Sequence, residues 1–279
     1  MTAQPPMSPA TVSVLTALLE ARTGQQLAAY RSWRLDTALK PVLKQRGIQS
    51  LDELVALLLD GQDASVADQV VDALVNSESS FFRDVAVFDL VTAAVAGVEA
   101  QGRRARIWCA GCATGQEPLS LAMLFAERAK DTGAAIPEIV ATDVSEAALT
   151  RARAGRYTQF EAQRGLPIRR LMTWFDGTPD SDWLAKPELV RHVRYLRMNL
   201  VADPAPPGRF DLVLCRNVLL YLSPQVKPAV FARLAGALRP EGLLVLGAGE
   251  TVIGQTRLFE PSRDIRGLYA KAAAAALAA

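Results

Sequence analysis

The strongest constraint on the fold is a change of pattern along the chain just before residue 107. From there on, short apolar runs alternate with helical stretches such as 117–130 and 145–154. The apolar runs are Arg106–Ala110, Glu138–Thr142, Val193–Asn199, Phe210–Cys215 and Gly242–Gly247. This alternation is typical of βαβ units, whose parallel strands are joined by right-handed crossovers. We therefore expect an α/β fold with a doubly wound sheet of at least five strands.

The segment before this region has helical patterns and no strand-like run. Ser8 followed by Pro9 is a typical helix start, and Gly24 is a typical helix end. Ser50 with Glu53 forms a capping-box pattern at the start of a further helix. We predict an N-terminal all-helical domain over residues 1–77.

The rest of the chain divides into a linker, a sheet domain and an insertion. Residues 78–103 form a linker and helix, and 104–279 contain the sheet. Residues 156–192 are longer than an ordinary connection and contain Gly, Pro, Trp and alternating polar and apolar positions. We predict that they form a small inserted β-subdomain.

Composition limits the compartment and the partners. The 279 residues carry a net charge of +2, from 31 Lys and Arg against 29 Asp and Glu. The protein as a whole therefore lacks the positive electrostatic potential that attracts nucleic acid. No apolar run reaches the roughly 18 residues of a membrane span, and three cysteines are an odd number that favours reduced thiols. We expect a cytoplasmic protein with no nucleic-acid partner and no direct membrane insertion.

The first predicted strand runs into a glycine turn at Gly111 and Gly115. Such a strand-to-helix turn allows a ligand to approach the backbone. The spacing is G-x-x-x-G, without the G-x-G-x-x-G of a dinucleotide site or the Gly-Lys-Ser/Thr of a P-loop. A small nucleoside without phosphate fits this turn better than a nicotinamide or triphosphate ligand.

Two acids accompany the glycine turn. Asp143 closes the second predicted strand, where a carboxylate can accept hydrogen bonds from both ribose hydroxyls. It could instead cap the next helix, but Ser145 can serve as that cap. Glu117 could complement the helix dipole or pair with the amino group of a ligand.

Six motifs in order give a family resemblance. They are Ser-Ser-Phe-Phe-Arg-Asp (79–84), Ala-Gly-Cys-Ala-Thr-Gly-Gln-Glu-Pro-Leu-Ser-Leu-Ala (110–122), Ala-Thr-Asp (141–143), Met-Asn-Leu (198–200), Phe-Asp-Leu-Val-Leu-Cys-Arg-Asn-Val-Leu-Leu-Tyr (210–221) and Leu-Arg-Pro-Glu-Gly-Leu-Leu-Val-Leu-Gly-Ala-Gly-Glu-Thr (238–251). The set resembles the chemotaxis receptor protein-glutamate O-methyltransferases, the CheR family. The resemblance implies a class I methyltransferase Rossmann-like fold, S-adenosylmethionine as methyl donor, S-adenosylhomocysteine as product, and methyl esters on glutamate side chains of chemoreceptors.

The resemblance also implies site residues. The expected cofactor-binding residues are Ser77, Ser79, Arg83, Gly111, Glu117, Asp143, Asn199, Leu200, Arg216 and Asn217. Gly111 is included because it belongs to the glycine turn. Arg83 and Tyr221 are the implied catalytic residues, with Tyr221 beside the transferred methyl group. The chain departs from the family pattern where Ser77 replaces Asn, Ser79 replaces Thr and Gln116 replaces an acid.

A basic segment in the helical domain suggests a docking surface. Its basic residues are Arg31, Arg34, Lys40, Lys44 and Arg46. Such a run is commonly a solvated helix face, but in the CheR family a basic N-terminal helix is thought to dock on the acidic methylation helices of the receptor. The resemblance therefore implies the cytoplasmic helices of methyl-accepting chemoreceptors as partners, association with membrane receptor arrays through protein contacts, and a receptor tail peptide at the insertion.

Three other readings remain open. With Ser77 and Gln116 altered, the chain could be a sensor or adaptor that binds S-adenosylmethionine or S-adenosylhomocysteine without methyl transfer. Trp-Cys-Ala-Gly-Cys (108–112) superficially matches a thiol oxidoreductase motif, although a lone C-x-x-C cannot complete a zinc site. The acceptor could also be a nucleic acid or a small metabolite, but Cys-Arg-Asn-Val (215–218) differs from the Asp/Asn-Pro-Pro-Tyr/Phe of enzymes that methylate bases.

Overall fold

The computed structural model describes residues 8–27 and 33–272, and the contacts within it divide the chain into two compact units. The first unit contains the described residues up to Asn76 together with Tyr221–Ser223. The second unit contains Ser77–Leu220 and the described residues from Pro224 onward.

The described part of the first unit is helical. Its helices are α1 (Pro9–Thr23), α2 (Trp33–Arg46), α3 (Leu51–Asp60) and α4 (Ala64–Leu74). Ser8 caps α1 by accepting a hydrogen bond from the Thr11 N–H, and Gly24 ends the helix with a φ of 70°. Apolar side chains at helical spacing, such as Leu15 and Leu19, are buried between the helices. The second helix, α2, is described from Trp33 onward.

The second unit is built on a seven-stranded sheet in the described part of the chain. Its strands are β1 (Arg106–Ala110), β2 (Glu138–Asp143), β6 (Val193–Arg197), β7 (Phe210–Cys215), β8 (Leu238–Leu246), β9 (Phe259–Pro261) and β10 (Tyr269–Lys271). Their order is β6-β2-β1-β7-β8-β10-β9. The first five are parallel, whereas β10 runs antiparallel to both of its neighbours.

A second sheet lies in the inserted segment. It has three short antiparallel strands, β3 (Arg156–Tyr157), β4 (Phe175–Gly177) and β5 (Trp183–Ala185), in the order β3-β5-β4. The structure thus confirms the doubly wound α/β sheet, the N-terminal helical region and the small inserted β-sheet. Three strands differ in their bounds from the predicted runs: β2 ends at Asp143 rather than Thr142, and β6 ends at Arg197 rather than Asn199. The largest difference is in β8, which spans Leu238–Leu246 rather than Gly242–Gly247, because Leu238 already pairs with Phe210 before a register shift in the ladder.

Helices connect and cover the strands of the second unit. They are α5 (Val85–Glu99), α6 (Gln116–Thr132), α7 (Glu146–Ala154), α8 (Gln159–Gln163), α9 (Ile168–Trp174), α10 (Pro187–Val190) and α11 (Lys227–Ala237). All six residues of β7 are buried, as expected for a parallel strand covered on both faces. None of the described helices has the length and apolar character needed to cross a bilayer.

Candidate active site

The turn that joins β1 to α6 depends on two glycines with left-handed backbone. Gly111 has a φ of 80° and Gly115 a φ of 92°, values that favour a residue without a Cβ. A Cβ on Gly111 would lie 2.5 Å from Val218 Cγ2. The Gly111 N–H donates to the Thr142 carbonyl at 2.8 Å. The turn is therefore packed against both the end of β2 and the loop that follows β7.

Asp143, the last residue of β2, is a buried carboxylate with 8% exposure. Its Oδ2 accepts a hydrogen bond from the Ala113 N–H at 2.8 Å, and its Oδ1 accepts one from the Ser145 N–H at 3.0 Å. Ser145 is the N-cap of α7, since its Oγ accepts from the Ala148 N–H at 3.1 Å. Asp143 therefore does not cap that helix. It lies where doubly wound sheets carry the acid that binds a ribose.

Arg216 follows β7 and is the charged centre of the site. Its side chain is only 2% exposed. Nη1 donates to Glu117 Oε2 at 2.8 Å, whereas Nη2 donates to Asp84 Oδ2 at 2.7 Å and to the Arg83 carbonyl at 2.9 Å. Among the described residues, no group accepts a hydrogen bond from Arg216 Nε. The buried guanidinium thus joins the start of α6, the residues before α5 and the end of β7.

The Phe-Phe-Arg turn before α5 is fixed on α6. The Phe82 N–H donates to Ser120 Oγ at 3.0 Å, and Ser120 Oγ donates to the Gln116 carbonyl at 2.7 Å. The Gln116 side chain is buried, and its Oε1 accepts a hydrogen bond from Thr114 Oγ1 at 2.8 Å. Gln116 is therefore part of the packed start of α6. The Arg83 side chain is exposed.

Backbone strain is concentrated at this site. Five described residues other than glycine have positive φ, and four of them lie in the turns just described or beside Arg216. These four are Phe82 (48°), Asp84 (58°), Ala113 (49°) and Asn217 (58°). Left-handed backbone in a residue with a side chain costs about 1–3 kcal/mol, and such strain tends to accumulate at functional sites.

Asn199 and Leu200 follow β6, which lies next to β2 in the sheet. The Met198 N–H donates to the Asp143 carbonyl at 2.9 Å, so this segment begins beside the end of β2. Asn199 Oδ1 accepts from the Val201 N–H at 2.9 Å. Arg233 of α11 donates to the Leu200 carbonyl. The structure therefore brings the Asn199 segment to the same sheet edge as Asp143.

The other residues expected at the site lie outside this hydrogen-bonded cluster. Ser77 and Ser79 are half-buried residues in the irregular segment before the Phe-Phe-Arg turn. Tyr221 ends a 3-10 turn, Leu219–Tyr221, and is grouped by its contacts with the first unit. Its carbonyl accepts a hydrogen bond from the Gln26 N–H at 2.8 Å.

The basic residues of the first unit have different surroundings. Lys40 and Lys44 are exposed on α2. Arg46 Nη1 donates to Asp63 Oδ2 at 2.8 Å, and its Nε donates to Gln69 Oε1 at 2.6 Å. Arg46 therefore ties α2 to α4. Arg31 and the side chain of Arg34 lie outside the described residues.

The three cysteines are buried thiols. Burial is the main cause that raises the pKa of Cys109, Cys112 and Cys215, and nearby carboxylates such as Glu117 act in the same direction. These thiols stay protonated at neutral pH, whereas thiol exchange requires the thiolate. The structure argues against the thiol oxidoreductase reading.

Sequence reasoning missed two acids of this site. Asp84 pairs with Arg216, and Glu250 Oε2 accepts a hydrogen bond from the Asn217 N–H at 2.7 Å. Both acids lie inside motifs that define the resemblance, Ser-Ser-Phe-Phe-Arg-Asp and Gly-Glu-Thr. Their place in these motifs could have marked both acids as site residues. Their hydrogen-bond partners could not be predicted, because they are distant in sequence.

Comparison with known families decides the assignment. Residues 77–266 match the family model described as "CheR methyltransferase, SAM binding domain". The chain belongs to the CheR methyltransferase family. The matched segment is its S-adenosylmethionine-binding domain, and it contains every element of the site described above.

Curated relatives agree with this CheR assignment. "Chemotaxis protein methyltransferase 1" of Pseudomonas aeruginosa is 38% identical over 240 residues, which cover 84% of this chain and 87% of the relative. "Chemotaxis protein methyltransferase Cher2" of Pseudomonas putida is 35% identical over 242 residues, covering 85% of this chain and 88% of the relative. A "Chemotaxis protein methyltransferase" of Vibrio parahaemolyticus is 34% identical over 256 residues, covering 91% and 93%. The chain is thus an S-adenosylmethionine-dependent methyltransferase of a chemotaxis family, and none of these similarities favours the sensor reading.

The residues of this CheR chain fit S-adenosylmethionine in their chemistry. The cofactor carries an ammonium group, a carboxylate and two ribose hydroxyls but no phosphate. The sheet edge offers the carboxylates of Asp143 and Glu117, and the turn before α5 carries the exposed guanidinium of Arg83. The G-x-x-x-G turn lacks the features of a pyrophosphate site. The donor set therefore matches the family's cofactor.

Proposed function

We propose that this chain transfers the methyl group of S-adenosylmethionine to glutamate side chains in the cytoplasmic helices of methyl-accepting chemoreceptors. Membership of the CheR family and the names of the relatives support a role in chemotaxis. The observation that carries the proposal is the cluster that the buried Arg216 forms with Glu117 and Asp84, at the same edge of the sheet as Asp143. The product would be a glutamate methyl ester.

The proposed methyl transfer requires little from acid or base groups. A glutamate carboxylate is already ionised at neutral pH, and bound S-adenosylmethionine supplies an electrophilic methyl group. In-line displacement then requires alignment of carboxylate and methyl group and removal of water from the nucleophile. The buried, protonated thiols of this site are consistent with that simple requirement.

Each site residue has a role in this proposal. Asp143 accepts hydrogen bonds from the ribose hydroxyls. Glu117 pairs with the cofactor ammonium group, and the hydrogen bond from Arg216 orients the Glu117 carboxylate. The remaining assignments follow the family: Asn199 and Leu200 contact adenine, Ser77, Ser79 and Arg83 line the methionine end, Gly111 lets the cofactor approach the backbone, and Arg216, Asn217 and Tyr221 surround the methyl group.

Receptor recognition is assigned to the first unit. We infer that the basic residues of α2 and the segment before it dock on the acidic methylation helices of the receptor. Lys40 and Lys44 are exposed and suited to this role, whereas Arg46 is engaged with Asp63 and Gln69. The small sheet β3-β5-β4 is the proposed place for a receptor tail peptide. The enzyme would be cytoplasmic and would associate with receptor arrays through these contacts.

A labelled transfer assay tests the proposed function. The full chain is incubated with methyl-labelled S-adenosylmethionine and receptor-containing membranes, and the membranes are then treated with alkali. We expect volatile labelled methanol, because carboxyl methyl esters hydrolyse in base. Receptors with alanine at the acceptor glutamates serve as the control. Cofactor binding without base-labile label would support the sensor instead.

A further inference from the structure

The loop that follows β7 contains a residue other than glycine with left-handed backbone. It begins at Arg216, turns through Asn217 at a φ of 58°, and continues to Leu220. Asn tolerates left-handed backbone better than most residues, but the conformation still costs free energy in a residue with a side chain. Hydrogen bonds to a group outside the loop would therefore support this shape.

Glu250, in the loop that follows β8, supplies that support. Its Oε2 accepts hydrogen bonds from the N–H groups of Asn217 at 2.7 Å and Gly247 at 2.9 Å. Its Oε1 accepts from the N–H groups of Val218 at 2.9 Å and Leu220 at 3.2 Å. An ionised carboxylate has about four acceptor positions, so the backbone uses the full capacity of Glu250.

Gly247 permits this close approach of the two loops. A Cβ at this position would lie 2.9 Å from both Asn217 N and Glu250 Oε2, and 2.8 Å from Asn217 Nδ2. Real Cβ atoms essentially never come so close to backbone. Gly247 and Glu250 thus act together: Gly247 lets the two loops approach, and Glu250 binds the backbone of the loop after β7.

We propose that Glu250 is a positioning residue for methyl transfer. It acts through the loop, which carries Arg216 and Asn217 at one end and leads into Tyr221 at the other. Its carboxylate is saturated by backbone N–H groups, so it contacts neither methyl donor nor acceptor. This inference rests on the proposed function for its effect on catalysis, but the support of the loop is independent of it.

The substitution Glu250→Gln tests this role with little change of volume. The glutamine NH2 group would face two of the four N–H donors, so at least two hydrogen bonds are lost. We expect kcat to fall by about tenfold or more. The KM for S-adenosylmethionine should change by less than about threefold, because Asp143 ends β2 and Asn199 follows β6, so neither belongs to this loop. Glu250→Asp keeps the charge and should recover part of kcat.

Hydrogen exchange gives a readout that does not require activity. In ligand-free Glu250→Gln, the amides of residues 217–220 should exchange about tenfold faster or more, whereas those of β1 stay protected. The matched control is Glu241→Gln, which changes an exposed carboxylate near the other end of β8. It should leave both readouts at their wild-type values.

The outcomes separate the two proposals. Unchanged exchange of residues 217–220, or a kcat within twofold of wild type, would overturn the positioning role. An equal loss of kcat and cofactor affinity together with exposure of β1 would also overturn it, since that indicates general unfolding. If the wild-type chain transfers no methyl group to receptors, the proposed function fails, and the role of Glu250 is then decided by exchange and by the affinity for S-adenosylhomocysteine.

Discussion

The buried guanidinium of Arg216 organises the site at the level of single residues. Taking a charge out of water is unfavourable unless its hydrogen bonds are replaced, and Glu117, Asp84 and the Arg83 carbonyl replace them here. The same bonds hold the strained residue Asp84 in its left-handed conformation. The cluster therefore contributes to the shape of the site as well as to its charge.

Removal of this guanidinium should be strongly destabilising. Arg216→Met leaves the carboxylate of Glu117, which is 15% exposed, without its cation. We expect a loss of about 3 kcal/mol in the free energy of unfolding, with little from Asp84 because its side chain is 40% exposed and screened by water. Urea unfolding followed by tryptophan fluorescence measures the loss.

The control for this measurement is Arg257→Met, which removes an exposed guanidinium from the same unit. Its free energy of unfolding should stay within about 0.5 kcal/mol of wild type. Equal stability of the Arg216 and Arg257 variants would contradict the account of the buried cluster.

Sequence reasoning at this scale found residues but not their partners. The roles of Asp143 and Ser145 could be predicted from the pattern, because Ser145 can cap the next helix and Asp143 is then not needed as the cap. The bonds of Arg216 to Asp84 and of Glu250 to Asn217 could not be found. They join segments far apart in the chain, and no local periodicity records such a contact.

At the scale of elements, capped helices and buried strands were the most predictable features. The strands Arg106–Ala110 and Phe210–Cys215 have the predicted bounds, since their apolar runs end abruptly at Gly111 and Arg216. The strands of the inserted sheet have only two or three residues each. Runs this short show no periodicity, so only the presence of a small β-subdomain could be predicted.

The N-terminus of α4 has a measurable pH signature. Hydrogen bonds from Ser65 and then from the Arg46 guanidinium hold the pKa of Asp63 at about 2. A carboxyl group with a lowered folded-state pKa contributes stability above its unfolded pKa, and this contribution disappears as the pH falls toward 2. An NMR titration of the full chain should find this low pKa.

The variant Arg46→Gln tests the cause of this shift. Loss of the guanidinium should move the pKa of Asp63 upward, while the Ser65 N–H remains as a donor. A wild-type titration midpoint at the ordinary value of 3.8 would contradict the described contact.

At the scale of the whole molecule, the proposed receptor recognition and the proposed methyl transfer belong to different units of the chain. The seven-stranded sheet of the second unit presents Asp143, Glu117 and Arg216 at the carboxyl ends of its strands. The helical first unit carries exposed lysines on α2. The sequence indicated this division because the change from helical to βα pattern is abrupt. The grouping of Tyr221–Ser223 with the first unit could not be predicted, since it depends on contacts with residues 24–26.

Charge reversal on α2 should separate receptor recognition from cofactor binding. Lys40→Glu with Lys44→Glu is expected to raise the KM for receptor by about tenfold, because acidic receptor helices would be repelled. The affinity for S-adenosylhomocysteine should stay within about twofold of wild type. Steady-state methylation kinetics and calorimetry measure the two quantities.

A second double variant with the same change in net charge is the control for a general effect of charge. Arg263→Glu with Arg266→Glu alters exposed residues of the second unit. Equal effects of the two double variants on the KM for receptor would contradict docking through α2.

Calorimetric titration of the full chain with S-adenosylhomocysteine tests the central claim most directly. We predict one site per chain, with an affinity at least about tenfold weaker in Asp143→Asn and unchanged in Asp131→Asn, which alters an exposed carboxylate on α6. Absence of binding to the wild-type chain, or equal affinity in all three proteins, would contradict a nucleoside site at the end of β2.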